Sequence, residues 1–204
     1  AEKFDEELPL PAVTARQEGE LPLTLSVAGQ EVFCDSKAVS VLPSPRPEQL
    51  PASMVAVFDP SGETAALLRR VGQPFTAIAS LAVVPEGAKV LIVGRDALSD
   101  QDSTSTRLAV LASEGRGVVV LDQAHPLKFQ ALPAEMELAP RSRKGSFGME
   151  IPVADGRTAF IEDTAHPALR DLRDKDFFTW GPDHVVFRNA YVKPTRGGKS
   201  LVQC

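Results

Sequence analysis

Hydrophobic and polar residues follow one pattern before a proline-rich stretch of the chain and another pattern after it. Residues 21–27 alternate between leucine or valine and smaller or polar side chains, and a second alternating run, residues 32–41, follows Gly29. A period of two with a glycine turn predicts two antiparallel strands. Because an isolated hairpin is marginally stable in water, we expect this one either to join the main sheet or to belong to a neighbouring β-sandwich.

Beyond the prolines, short apolar runs alternate with helix signals. Strands are predicted over residues 54–58, 75–79, 89–93, 118–121 and 158–161, and further apolar segments cover 185–187 and 201–204. One helix is predicted over 63–70, capped by Ser61 and burying Ala66, Leu67 and Val71. A second is predicted to open at Ser103 or Thr104, to bury Leu108 and Leu111 and to end at Glu114. This alternation predicts an α/β fold with a doubly wound, mainly parallel sheet of the flavodoxin-like, three-layer type.

The same patterns divide the chain into two parts. Residues 1–50 are predicted to form a small β-strand appendage and a linker, since residues 42–51 contain four prolines and cannot form a helix or a central strand. Residues 51–204 are predicted to form the α/β domain. Because residues 201–204 end the sequence without a turn or a polar tail, we expect this domain to be truncated at its C-terminus.

Composition and charge narrow the classes of partner. A net charge of −5 gives no attraction to nucleic acid or to an acidic membrane surface. No stretch reaches the roughly 18 consecutive apolar residues of a membrane span. Cys34 and Cys204 predict neither a disulfide framework nor a zinc site, and the three histidines are far apart in sequence. We therefore predict that the chain binds no metal, no cofactor, no nucleic acid and no membrane. The composition does not indicate a cellular compartment.

Candidate chemistry lies in the loops that follow the predicted strands. In an open α/β sheet, ligands bind beyond the carboxyl ends of the strands. This rule selects Asp59, Arg95, Asp122 and Gln123 as candidates for ligand binding and Asp122, His125 and His166 as candidates for catalysis; Glu162 and Asp163 follow the fifth strand. The competing interpretation is structural, because Asp and His-Pro pairs also end strands by forming turns and capping helices.

A nucleophile is missing from the position where this fold would carry one. Catalysis by acyl transfer would need a Cys or Ser at the end of a central strand, backed by a His. The sequence there, residues 120–124, reads Val-Leu-Asp-Gln-Ala, and both cysteines lie elsewhere. Gly198-Lys199-Ser200 is similar to the end of a phosphate loop, but Lys193 stands where that loop needs its first glycine. We therefore assign no catalytic residue and no nucleotide site.

Several segments resemble the class I glutamine amidotransferase-like superfamily. These segments are residues 89–95, 108–121 and 162–169, and the likeness extends over roughly 51–204. More narrowly, the chain resembles the accessory domains of bacterial β-galactosidases and related multidomain glycoside hydrolases, to which residues 176–186 are also similar. Active amidotransferases carry a Cys where this chain has none, so the resemblance does not imply that activity.

The resemblance implies a non-catalytic module that scaffolds or oligomerises a multidomain carbohydrate-active enzyme. Its partners would be neighbouring domains of the same polypeptide, with a homo-oligomer left open, and residues 20–43 resemble the closing strands of an immunoglobulin-like domain. A periplasmic or extracellular location follows from the resemblance alone. Two alternatives remain: a hydrolase that uses Asp122, His125 and His166, and a small-molecule binding domain that uses Asp59, Arg95 and Asp122.

Overall fold

A computed structural model describes residues 9–44, 48–128, 137–139, 142–144, 149–152, 159–178, 186–195 and 197–203. The chain divides into two compact units, Ala1–Arg46 and Pro47–Cys204. The first contains strands β1 (Gln17–Val27) and β2 (Gln30–Val41). The second contains, in chain order, β3 (Val55–Phe58), α1 (Glu63–Arg70), β4 (Thr76–Ile78), β5 (Val90–Val93), α2 (Asp100–Thr104), α3 (Arg107–Ser113), β6 (Gly117–Val120), β7 (Ser142–Lys144), β8 (Glu150–Pro152), β9 (Phe160–Ile161), α4 (Asp174–Phe177) and β10 (Val202–Gln203).

The first unit is an antiparallel hairpin, which confirms the alternating pattern of residues 21–41. Its turn has positive φ at Ala28 (52°) and Gly29 (81°), a conformation that matches the twist of a tight hairpin. Among the described strands, β1 and β2 pair only with each other. Membership of a neighbouring β-sandwich stays a prediction.

The second unit is built on a four-stranded sheet in the order β4-β3-β5-β6, with every pair parallel. The continuous apolar runs at 55–58 and 90–93 form its two central strands, as expected for strands buried between neighbours. Together with helices α1 and α3 between the strands, this confirms a mainly parallel α/β fold. No described helix is both long enough and apolar enough to cross a membrane.

The core lies on one face of the parallel sheet. Every second residue of the central strands points into it, and these are Ala56, Phe58, Leu91 and Val93. They pack with Leu108 and Leu111, the two residues of α3 that the sequence predicts on one buried face. On the other face Val55 and Val57 are buried, but Val119 of the edge strand is 46% exposed.

The predicted start of the second helix is wrong. The second predicted helix does not open at Ser103 or Thr104: these residues end α2, which Ser99 caps by accepting the Asp102 N–H in a capping box. A separate helix, α3, then starts at Arg107. Ser103, next to the last residue of α2, is fully buried, and its hydroxyl donates to the Asp100 carbonyl.

Helix α1 has the predicted bounds but buries a different face. Ala66 and Leu67 are exposed, whereas Thr64 and Ala65 are buried. The reason lies in the first turn, because Ala65 N–H donates to Asp59 and Thr64 Oγ1 accepts the Arg95 N–H, which holds this turn against the loops of the sheet. The predicted cap is also different, since Ser61 Oγ only accepts a long bond, 3.4 Å, from Glu63 N–H.

The fifth predicted strand exists but does not extend the parallel sheet. Strand β9 pairs antiparallel with β10 at the end of the chain, and Glu162 and Asp163 both donate their N–H groups to the Leu201 carbonyl. The expectation that Glu162, Asp163 and His166 share the rim of the parallel sheet is therefore wrong. The apolar segment 185–187 forms no strand at Val186 and Phe187, and Val185 lies outside the described residues.

Candidate functional site

The loops after β3, β5 and β6 lie side by side at the carboxyl edge of the parallel sheet. Gly94 N–H donates to the Phe58 carbonyl at 2.8 Å, and Asp96 N–H donates to the Asp122 carbonyl at 3.0 Å. The rule that selected these loops from the sequence therefore brings Asp59, Asp96 and Asp122 to one edge. We call this edge, formed by residues 59, 94–96 and 121–123, the rim.

Gln123 is the most buried polar side chain of the rim, at 4% exposure. Its Oε1 accepts the Leu98 N–H at 3.0 Å, and its Nε2 donates to the carbonyls of Gly94 and Leu121, each at 2.7 Å. The amide thus uses its acceptor once and both of its donor hydrogens. A side chain committed in this way holds the two loops together and has no donor hydrogen left for a ligand.

Arg188 connects the two acidic loops. Its Nη2 donates to Asp96 Oδ1 at 2.6 Å, and its Nε donates to Asp122 Oδ2. The hydrogen bond from Arg188 lowers the pKa of Asp96, and the hydrogen bond to Asp96 is the main cause that raises the pKa of Arg188. One guanidinium therefore bridges two carboxylates that would otherwise repel each other at the rim.

The residues around Arg188 form a segment that lies against the loop after β6. Asn189 Nδ2 donates to the Gln123 carbonyl at 2.8 Å, and Tyr191 OH donates to the Leu127 carbonyl at 3.1 Å. Burial raises the pKa of Tyr191, which keeps its hydroxyl a donor. We call residues 186–192 the rim segment. It contributes a cation, an amide and a phenol, each already bonded to the rim or to the loop beside it.

The space left under the rim segment is small. A cavity of about 150 Å³ lies between the end of β6 and the rim segment. Its lining residues are Val120, Leu121, Asp122, Gln123, Pro126, Leu127, Asn189 and Tyr191. Sites for drug-sized ligands typically measure about 300–1,000 Å³, so this cavity suits at most a very small molecule.

Asp59 does not join the Arg188 cluster, whereas Arg95 stands at its edge, beside Asp96. Asp59 caps α1: Oδ2 accepts the Ala65 N–H at 2.8 Å and Oδ1 accepts the Ser61 hydroxyl at 3.0 Å. Arg95 has a side chain that is 56% exposed, and its Nε stands 3.9 Å from Asp96 Oδ2. Asp59 therefore has a structural role, and the charged group of Arg95 faces water.

The two predicted catalytic histidines lie in different loops, His125 after β6 and His166 after β9. His125 is exposed. His166 precedes a short 3-10 turn, Pro167–Leu169, and its Nδ1 accepts the Ala168 N–H at 3.2 Å. Among the described residues no hydrogen bond joins either histidine to Asp122. The turn-and-cap interpretation of the His166-Pro167 pair is thus what the structure shows.

A second hollow, of about 360 Å³, lies beside β9 and is lined by charged pairs. Lys193 Nζ is 2.6 Å from Glu162 Oε1, and Lys199 Nζ is 2.6 Å from Asp163 Oδ2. These lysines, as hydrogen-bond donors, are the main cause that lowers the pKa of each carboxyl. The hollow is therefore electrically balanced. Ser200 is followed by strand β10 and not by the helix that a phosphate loop requires.

Sequence reasoning missed Arg188 and Asn189. They lie 66 or more residues away from the rim groups that they contact, with no motif around them. One signal in the sequence could have indicated a missing partner: acidic residues that follow neighbouring strands are expected to have a cation nearby. The described part of the chain contains no cluster of three or more His, Cys, Asp or Glu side chains arranged to hold a metal ion.

The end of β6 differs from a nucleophile elbow in shape as well as in sequence. Residues 121–128 form no helix, so Asp122 does not sit on a sharp turn between a strand and a helix. No protein-family model matches the chain. Likewise, no curated protein and no solved structure matches the chain.

Proposed function

We propose that residues 51–204 form a non-catalytic accessory module that scaffolds a larger carbohydrate-active enzyme, with a doubly wound, flavodoxin-like, three-layer core. The observation that supports this role most is the occupied rim. Gln123 is hydrogen-bonded to Leu98, Gly94 and Leu121, and Arg188 pairs with one carboxylate oxygen each of Asp96 and Asp122. A site that bound or transformed a substrate would present such groups unpaired toward an open cavity.

The lack of a nucleophile supports the same role. The residue at the end of β6 is Asp122, not a Cys or Ser, and no helix follows it within residues 121–128. The enzyme class, a glycoside hydrolase in a bacterial periplasm or extracellular space, rests on the resemblance of residues 89–95, 108–121 and 162–169 to the amidotransferase-like accessory domains. In that setting the module would contact neighbouring domains of the same polypeptide.

An activity and binding screen tests the role. The chain is assayed for hydrolysis of aryl glycosides, esters and amides, and its unfolding midpoint is measured with and without mono- and oligosaccharides. We expect no turnover and no ligand-dependent shift. Asp122→Asn is compared with Asp100→Asn, a matched change at an acid that pairs with Lys128 outside the rim.

The alternatives predict a different outcome. A hydrolase or a small-molecule binding domain would show turnover, or a ligand-dependent rise of the midpoint, in the wild-type chain and in Asp100→Asn. Either signal would disappear in Asp122→Asn. That pattern would contradict the accessory role and would assign the rim to a ligand.

A further inference from the structure

The hairpin unit presents an apolar face to solvent. Its register places Leu23 opposite Asp35 and Leu25 opposite Phe33, and residues that lie opposite each other share a face. Leu23, Leu25 and Phe33 are 42%, 57% and 56% exposed. The opposite face is polar and internally bonded, for example through Ser36 Oγ, which donates to Glu20 Oε2 at 3.1 Å. An amphipathic two-stranded sheet of this kind gains stability from further strands.

The two edges of the hairpin are not equivalent. Ser36 lies opposite Pro22, and its N–H donates to its neighbour Asp35 Oδ1 at 2.8 Å, so this N–H points away from β1. The facing Pro22 nitrogen, which has no hydrogen, then lies on the outer edge of β1 and interrupts it. Strand β2 has no proline along its 12 residues. The edge of β2 is therefore the one that no proline interrupts, and it can accept another strand once the Ser36 N–H exchanges Asp35 Oδ1 for a carbonyl of that strand.

The sequence of β2 is complementary to itself when two copies run antiparallel. With Ser36 at the two-fold axis, Asp35 lies opposite Lys37 of the second copy, and Phe33 lies opposite Val39 of the second copy. Opposite charges and aromatic–aliphatic pairs in facing positions stabilise neighbouring strands. Within one chain, Lys37 Nζ already lies 2.5 Å from Asp35 Oδ2, so both charges stand on the same face at the centre of the strand.

Neighbouring registers lack this complementarity. Moving the two-fold axis by one residue in either direction places Asp35 opposite Asp35 of the second copy, or Lys37 opposite Lys37 of the second copy. Like charges in facing positions are destabilising. The register centred on Ser36 also keeps the apolar faces of both hairpins on one side of the joined sheet.

We propose that the hairpin is a self-association surface, in which β2 pairs antiparallel with β2 of a second copy around Ser36 to form a four-stranded intermolecular sheet. The partner is a second copy because the charges and apolar residues of this edge complement each other. Pairing at β2 does not depend on the role proposed for the α/β unit, since it involves residues of the hairpin alone.

Charge reversal tests the register. Sedimentation velocity is measured over the micromolar range for the wild-type chain, for Asp35→Lys and for the double swap Asp35→Lys/Lys37→Asp. We expect a concentration-dependent dimer in the wild type, dimerisation at least about tenfold weaker in Asp35→Lys, and recovery in the double swap, since two symmetric pairs change sign together. A monomeric wild type, or a dimer that Asp35→Lys leaves unchanged, would overturn the proposal.

Disulfide trapping tests the geometry with a second readout. In a background with Cys34→Ser and Cys204→Ser, Ser36→Cys is compared with Thr24→Cys, a control on β1 on the same face of the hairpin. Facing residues of antiparallel strands lie about 4.5–5.5 Å apart, within reach of a disulfide. We expect mild oxidation to link Ser36→Cys into a covalent dimer and to leave Thr24→Cys monomeric. Equal cross-linking of both variants would contradict pairing at the edge of β2.

Discussion

Gln123→Leu removes the amide that joins the loops after β5 and β6 while keeping a side chain of similar size. The change deletes three hydrogen bonds, one from Leu98 N–H and two to the carbonyls of Gly94 and Leu121. Leu98 is buried, so its N–H cannot turn to water, whereas the Gly94 carbonyl still accepts the Ala97 N–H at 3.3 Å. Leaving buried donors and acceptors unpaired costs about 1–3 kcal/mol each, and a typical hydrogen bond contributes about 1 kcal/mol. We therefore expect the free energy of unfolding to fall by about 2–4 kcal/mol.

The measurement is equilibrium unfolding in urea, followed by far-ultraviolet circular dichroism and repeated by calorimetry. In a protein of this size each kcal/mol of lost stability lowers the thermal unfolding midpoint by about 2–4 °C, so we expect calorimetry to show a midpoint lower by about 5–15 °C. Gln101→Leu is the matched control, because Gln101 is an exposed residue of α2 and its replacement should change stability by less than about 0.5 kcal/mol. Equal effects of the two substitutions would refute the structural role of Gln123.

Two further predictions concern the same edge of the sheet. Arg188 lowers the pKa of Asp96, so the stabilisation from this pair is complete above the pKa of an unfolded Asp and is lost as pH falls through the lower pKa of the folded state. In an acid titration of the free energy of unfolding, Arg188→Met should therefore decrease less steeply than the wild type below about pH 4. Gly94→Ala places a Cβ 2.4 Å from Asp59 Oδ1, so it should displace the cap of α1 and cost about 1–3 kcal/mol by urea unfolding. The control Gly87→Ala, where the nearest atom is 3.5 Å away, should change the midpoint little.

The parallel sheet could be predicted from the sequence because its signals are local. Apolar runs such as 55–58 and 90–93 are bounded by turn residues. A strand that is buried on both sides is a continuous apolar run, so it can be recognised without knowing which strands pair with it. The hairpin was predictable for the same reason, through its period of two and Gly29. The buried face of α1 could not be predicted in this way. Asp59 accepts the Ala65 N–H and holds the first turn of the helix, so Thr64 and Ala65 are buried in place of Ala66 and Leu67.

The candidate site could be predicted only in part. Strand ends placed Asp122 and Gln123 at the correct edge of the sheet, but their role depends on Arg188, which lies 66 residues from Asp122 along the chain. A contact of this separation leaves no periodicity in the sequence. His166 was placed at the rim because β9 was expected to extend the sheet, whereas β9 pairs with β10.

Closure of the rim by Arg188 is tested most directly by a double-mutant cycle of Arg188→Met and Asp122→Asn in urea unfolding. The side chains of this pair are 34% and 37% exposed, so solvent screening limits their coupling. We expect a coupling free energy of about 0.5–1 kcal/mol that favours the wild-type pair. A coupling indistinguishable from zero would mean that Arg188 does not hold Asp122, and the rim would then be open to a ligand.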